Sequence, residues 1–138
     1  MSIEIKGLDE VLKKLENLKN LNTKPLMNSI GNMLRNEIEH SFEDEKSPFG
    51  EKWKALSVIT QKSKIKNNKS DKILRSSGNL ADNWYINATN NKVVVSNNSQ
   101  GKNGFKYGLT HQFGSNKAGK NKNSLIPARE FLPVDKRN

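Results

Sequence analysis

The sequence predicts an α+β fold, and three observations predict it. Apolar residues recur at three- and four-residue intervals twice within the first 42 residues, the period of helices buried on one face. Two short runs, Trp84–Ala88 and Lys92–Ser96, hold the aromatic and β-branched residues that strands favour. The stretches around them are polar, rich in Lys and Asn, and read as long basic loops.

Along the chain, Ser2–Lys6 alternates Ile3 and Ile5 with polar neighbours, a short strand signal that Gly7 ends. Asp9 is placed to cap a helix by accepting from orphan backbone N–H groups. Leu8, Leu12, Leu15 and Leu18, with Val11 beside them, predict an amphipathic helix ending near Asn20–Asn22. A second helix follows from Leu26, Ile30, Leu34, Ile38 and Phe42, which fall every four residues and are flanked by Met27 and Met33. Thr23 or Asn22 caps it, and Pro25 suits its first turn. A strict four-residue stripe drifts around the helix, so it crosses its packing partner obliquely, and core packing is the expectation. Gly31 and Asn32, weak helix formers, mark close approach of another backbone.

Residues 43–50 read as a loop with a turn between Pro48 and Gly50. Trp53 and Leu56 follow as anchors, and a short basic segment begins at Ser57 or Thr60. Lys66–Asp71 reads as a solvated linker, and Gly78 as a turn into the segment ending at Trp84. Thr89-Asn90-Asn91 forms a hairpin connection, since Asn tolerates positive φ. Tyr107–Phe113 is a helical turn or a strand. Gly114–Ser124 holds no apolar residue larger than Ala and is expected to project as a loop, as is the stretch 97–106. Ile126 and Pro127 restart order, and Phe131-Leu132 anchor the end.

A length of 138 residues predicts a single domain, 1–138: a short strand and two helices over 1–42, then a loop-rich, mainly strand region over 43–138. The apolar fraction of 33% predicts a thin core and stability drawn from neighbouring subunits. There is no cysteine, which excludes disulfides and thiolate metal sites. No apolar run approaches the roughly 18 residues of a membrane span, and MSIEIKGLDEVL lacks a signal-peptide pattern. A soluble, cytoplasmically made protein is the expectation.

The net charge is +10, unevenly spread. Met1–Glu51 holds seven Lys/Arg and ten Asp/Glu, whereas Lys52–Asn138 holds seventeen and four. The asymmetry suggests a basic surface that meets an acidic partner, nucleic acid or protein. Most lysines also fit a coding bias, since the chain has 20 Lys and 20 Asn; only four of its cations are Arg, the residue favoured for bidentate phosphate contacts.

Chemistry finds little support. The two histidines, His40 and His111, lie in no metal-binding spacing, and no nucleophile-elbow or phosphate-loop motif occurs. The best arrangement for catalysis is His111 with Glu130 and Arg129, as a metal-free nuclease. A non-specific nucleic-acid-binding module using basic loops is the alternative, although the helices are the acidic part of the chain, contrary to a groove-reading helix. The chain is read as non-enzymatic, with no cofactor and no metal.

One ordered series remains: Pro48-x-Gly50-x-x-Trp53-x-x-Leu56, Thr60, Ile73-Leu74, Ser77-Gly78-x-Leu80, the Val93–Val95 strand, Tyr107, His111-Gln112-Phe113-Gly114, then Ile126-Pro127-Ala128-Arg129-x-Phe131-Leu132. Over Phe42–Leu132 it resembles the phage virion morphogenesis family, the tail-completion proteins of Mu-like and related contractile-tailed phages. The resemblance implies helices packed on one face of a small curved antiparallel sheet. It implies a structural role at the phage neck or tail terminus, completing the tail and helping join it to the head. Rings, commonly six-fold, are implied, with tail-tube or sheath proteins and head-connector proteins as further partners, passing contact with DNA, and no membrane. The host cytoplasm during assembly and the virion afterwards are the implied locations.

Trp53, Gly78, Tyr107, His111, Gln112, Phe113, Gly114, Pro127, Ala128, Arg129 and Phe131 are thereby marked as an assembly interface. Phe113 and Phe131 are expected in the core. Gly78 and Gly114 suit positive φ or a close-passing chain. Arg129 forks onto a neighbouring subunit or bridges internally, and His111-Gln112 either fixes the loop or touches the tail tube. Lys117, Lys120 and Lys122 face DNA in a lumen, dock on an acidic connector surface, or are solvated.

Overall fold

The computed structural model describes residues 2–4 and 6–134, and the α+β architecture is observed. Ile5 lies outside the described residues, and Ser2–Glu4 belong to no helix or strand. Helix α1 spans Leu8–Lys19. Its start is Gly7, with left-handed backbone at φ 83° and no side-chain cap. The expected cap, Asp9, lies inside the first turn, where its carboxylate faces the positive end of the helix dipole.

Helix α2 spans Lys24–Asp44 with Thr23 at its N-cap and Pro25 in its first turn. The Thr23 hydroxyl donates to the Asn90 carbonyl, so it ties the helix to a distant turn instead of capping its own end. Ile38 and Phe42 are fully buried, but Leu26, Ile30 and Met33 are exposed. The drifting stripe thus enters the core only over the second half of the helix.

Strands β1 (Tyr85–Ala88) and β2 (Val93–Ser96) form an antiparallel hairpin that lies on α2, with Ile86 opposite Val95 and Ala88 opposite Val93. Its connection is held by Thr89, whose N–H donates to the Lys92 carbonyl at 2.8 Å and whose hydroxyl accepts from Lys92 N–H at 3.2 Å. Neither Asn90 nor Asn91 takes the expected positive φ. The close approach at Gly31 is made by side chains of the hairpin, not by another backbone. A Cβ added there would sit 2.5 Å from Ile86 Cγ2 and 2.9 Å from Val93 Cγ2. Gly31→Val is therefore expected to destabilise the protein by about 1–3 kcal/mol, the usual cost of overpacking. A lowered urea midpoint would show it, while Asn32→Ala on the exposed side should stay within about 0.5 kcal/mol of wild type.

Three short helices follow or flank: α3 (Val58–Lys66), α4 (Asn79–Asp82) and α5 (Tyr107–Phe113), with a 3-10 turn at Lys102–Gly104. Ser57, not Thr60, begins α3, its hydroxyl accepting from Thr60 N–H at 3.2 Å. Strands β3 (Ser115–Ala118) and β4 (Ser124–Ile126) pair antiparallel. The stretch expected as a projecting loop is thus mostly a hairpin, with a tip at residues 119–123, and the antiparallel structure is two separate two-stranded pieces.

The buried cluster is Ile38, Phe42, Trp53, Ile73, Leu80, Ala81, Trp84 and Phe131. Phe42 stands at its centre, with ring centroids 5.4 Å from Trp53 and 5.1 Å from Phe131, and Trp84 lies 6.0 Å from Phe131. Edge-on and tilted contacts of this kind add to what burial alone supplies. Helix α1 contributes no buried residue.

Candidate functional site

The motif residues converge where the C-terminal segment 125–132 crosses the chain. Gln112 on α5 is fully buried. Its Oε1 accepts from Phe131 N–H at 2.9 Å and Leu132 N–H at 3.0 Å, and its Nε2 donates to the Leu132 carbonyl at 3.3 Å. One side chain therefore satisfies three backbone groups, that of Phe131 buried and those of Leu132 half-buried, and holds the segment that carries Phe131. From the other side, Trp53 Nε1 donates to the Glu130 carbonyl at 2.8 Å. Arg129 N–H donates to the His111 carbonyl at 2.7 Å.

Arg129 is buried, and its guanidinium turns inward onto its own chain. Nε donates to the Lys54 carbonyl at 2.8 Å and Nη2 to the Ala55 carbonyl at 3.3 Å. Of the two roles open to it, the geometry supplies the internal bridge, onto neutral carbonyls. No ion pair among the described residues involves it. Burial without a counter-charge disfavours the cation and pushes its pKa down.

Gly114 ends α5 with φ 75°. A Cβ there would meet Ala128 N at 2.9 Å and the Ile126 carbonyl oxygen at 3.0 Å, backbone atoms that cannot yield. That contact brings the start of β3 against the end of β4. Phe113, expected in the core, is 53% exposed, while Phe131 is 2% exposed. The reason is local: α5 turns Gln112 inward, and the next residue on a helix points about 100° away. Ala128, Lys117, Lys120 and Lys122 are exposed, the three lysines along the β3–β4 hairpin.

Beside this junction lies a cavity of about 730 Å³. Its walls come from Lys54–Thr60 and Lys64, from the turn Leu74–Leu80 that includes Gly78, from Tyr107 and His111 on α5, and from Leu125–Arg129 including Pro127. Four cations line it: Lys54, Lys64, Arg75 and Arg129. No carboxylate among the described residues does. The wall bearing Arg75 is built with strain, since Leu74 adopts left-handed backbone at φ 56°, which costs a non-glycine residue about 1–2 kcal/mol. Ile73 is thereby buried and held through its N–H by Glu45 Oε1 at 2.8 Å, while the next side chain but one reaches the cavity. Arg75 also pairs with Asp82 at 3.0 Å. Lys64 Nζ donates to the carbonyls of Lys72 and Arg75, the latter at 3.3 Å. Burial lowers the Lys64 pKa, opposed by Asp71 and Glu45 nearby.

His111 Nδ1 is buried and has no hydrogen-bond partner among the described residues. Burial lowers the His111 pKa, and the Arg129 charge lowers it further, so the neutral imidazole is favoured. Among the described residues, no group of three or more His, Cys, Asp or Glu could hold a metal ion.

The sequence singled out Trp53, Gly78, Tyr107, His111, Gln112, Gly114, Pro127, Arg129 and Phe131, and the structure gathers them at this junction and cavity. It did not single out Lys54, Lys64 or Arg75, which come from segments without a motif signal. A family model described as the phage virion morphogenesis family matches residues 3–138. No curated protein and no solved structure matches the chain.

Proposed function

The chain belongs to the phage virion morphogenesis family, and from that premise we propose that it is a structural protein of the phage neck or tail terminus, which completes the tail and helps join it to the head as a homo-oligomeric ring. Its partners in this reading are further copies of itself, tail-tube or sheath proteins, and head-connector proteins. The reading is non-enzymatic. No helix among the described residues is long and apolar enough to cross a membrane.

The observation that carries the assembly reading is the apolar face of α1. Leu8, Val11, Leu12, Leu15 and Leu18 are each more than half exposed. A contiguous aliphatic face of this kind marks an interaction surface. Covering the exposed half of each such side chain is worth about 1 kcal/mol. Leu26, Ile30 and Met33 on α2 add a second exposed apolar set. A head-to-tail ring requires two different complementary faces on each subunit, and two separate exposed apolar sets support that reading.

Leu12→Glu/Leu15→Glu tests the reading. Wild type is expected to form larger species as concentration rises, seen by native mass spectrometry and negative-stain imaging. The variant should remain monomeric while keeping its helical circular dichroism. In a phage lysate it should leave heads and tails unjoined. Oligomers of wild-type size from the variant would sink the α1 contact.

A further inference from the structure

We propose that the cavity beside Arg129 is a socket for a carboxylate-bearing peptide segment of a partner protein. Nothing in this proposal depends on ring formation. It rests on the composition and shape of the site. Lys54, Lys64, Arg75 and Arg129 line one concavity, and no acid among the described residues does. Asp82 meets Arg75 from outside the lining, and Asp71 and Glu45 act on Lys64, so part of the charge is offset at that wall. At the Arg129 wall the partners of the guanidinium are carbonyl groups, and no ion pair among the described residues involves it.

Those two hydrogen bonds use two of the five N–H donors of the guanidinium. Ser76 and Ser77 line the same cavity. The arrangement is a concave surface of positive charge that no carboxylate among the described residues lines.

A peptide fits this surface better than a nucleic acid does. Arg129 is only 6% exposed, so a group must reach into the cavity to meet it. A side-chain carboxylate on a single extended strand can do so, whereas the phosphates of a duplex lie on a convex rod. The cations are also separated by apolar wall, Leu56, Leu74 and Leu80 among it, which suits a segment that mixes acidic and apolar side chains. The lysines Lys117, Lys120 and Lys122 of the hairpin, by contrast, are exposed and lie outside the lining of the cavity.

Hexaglutamate serves as the probe, titrated into the full chain by calorimetry, with inorganic phosphate and a single-stranded oligonucleotide in parallel. Hexaglutamate is expected to bind. Lys54→Gln/Arg75→Gln should weaken it about tenfold or more, the loss of charge-assisted hydrogen bonds. Lys117→Gln/Lys120→Gln/Lys122→Gln should leave it within about twofold. Proton NMR of the two histidines gives an independent reading that does not need a variant. A carboxylate in the socket favours the charged imidazole, so the His111 titration should move up. The proposal is overturned by absence of hexaglutamate binding, by an unmoved His111, or by equal loss in the pocket and hairpin variants. Tighter binding of the oligonucleotide, lost with Lys54→Gln/Arg75→Gln, would reassign the socket to nucleic acid.

Discussion

Phe131→Ala is expected to destabilise the protein by about 3–5 kcal/mol, the range for removing a buried aromatic side chain. Phe131 is 2% exposed and touches rings from two separate parts of the chain, Phe42 at 5.1 Å and Trp84 at 6.0 Å, and Phe42 in turn meets the indole of Trp53 at 5.4 Å. Its neighbours come from a long helix and from segments pinned by their own hydrogen bonds, so the cavity left behind has little freedom to collapse. Equilibrium urea denaturation at matched protein concentration measures the loss. Phe113→Ala, made at a residue of the same type that is 53% exposed, should move stability by no more than about 0.5 kcal/mol. Equal losses at the two positions would mean that the aromatic cluster does not carry the fold.

Gln112→Leu is expected to cost about 2–6 kcal/mol, because it strands the N–H groups of Phe131 and Leu132 at roughly 1–3 kcal/mol each. Leucine has a similar volume, so the cost comes from orphaned donors and not from an empty space. The Leu132 carbonyl also loses its donor. Hydrogen exchange gives the sharper test. The amides of Phe131 and Leu132 should exchange much faster in the variant, while those around Ile38 and Phe42 slow or hasten only with global stability. Unchanged exchange at residues 131 and 132 would show that other groups hold the segment.

The His111-Gln112-Phe113-Gly114 run shows how much of the site could be read in advance. Gln112 fixes the neighbouring segment, which was one of the two roles weighed for the His–Gln pair. Gly114 has the positive φ that a glycine at this point suggests. Phe113 was misplaced, because residue type argues for burial but says nothing about which side of a two-turn helix faces inward. The hairpin Ser115–Ala118 with Ser124–Ile126 was missed for a related reason. Its first strand is small or polar throughout, and in its second the two apolar residues, Leu125 and Ile126, are adjacent, so no alternation marks them as strands. Pairing there comes from the ladder and from the chain being brought together at Gly114.

Periodicity, by contrast, made α1, α2 and the Tyr85–Ala88 hairpin legible to within a few residues. Those signals are local: they report which faces are apolar and where turns interrupt them. They do not report what covers an apolar face. The stripe of α1 and the stripe of α2 look alike in sequence, yet one is wholly exposed and the other is half buried.

By itself, then, the sequence determined the helices, the first hairpin, the split between an acidic N-terminal part and a basic remainder, and the ordered motif of the family. Only the tertiary structure decided that Arg129 turns inward, that α1 stays uncovered, and that Lys54, Lys64 and Arg75 share a cavity with it. The physical reason is separation along the chain. Arg129 meets carbonyl groups 75 and 74 residues away, and Trp53 meets one 77 residues away. Contacts over such distances depend on where the whole backbone runs, which no window of sequence contains.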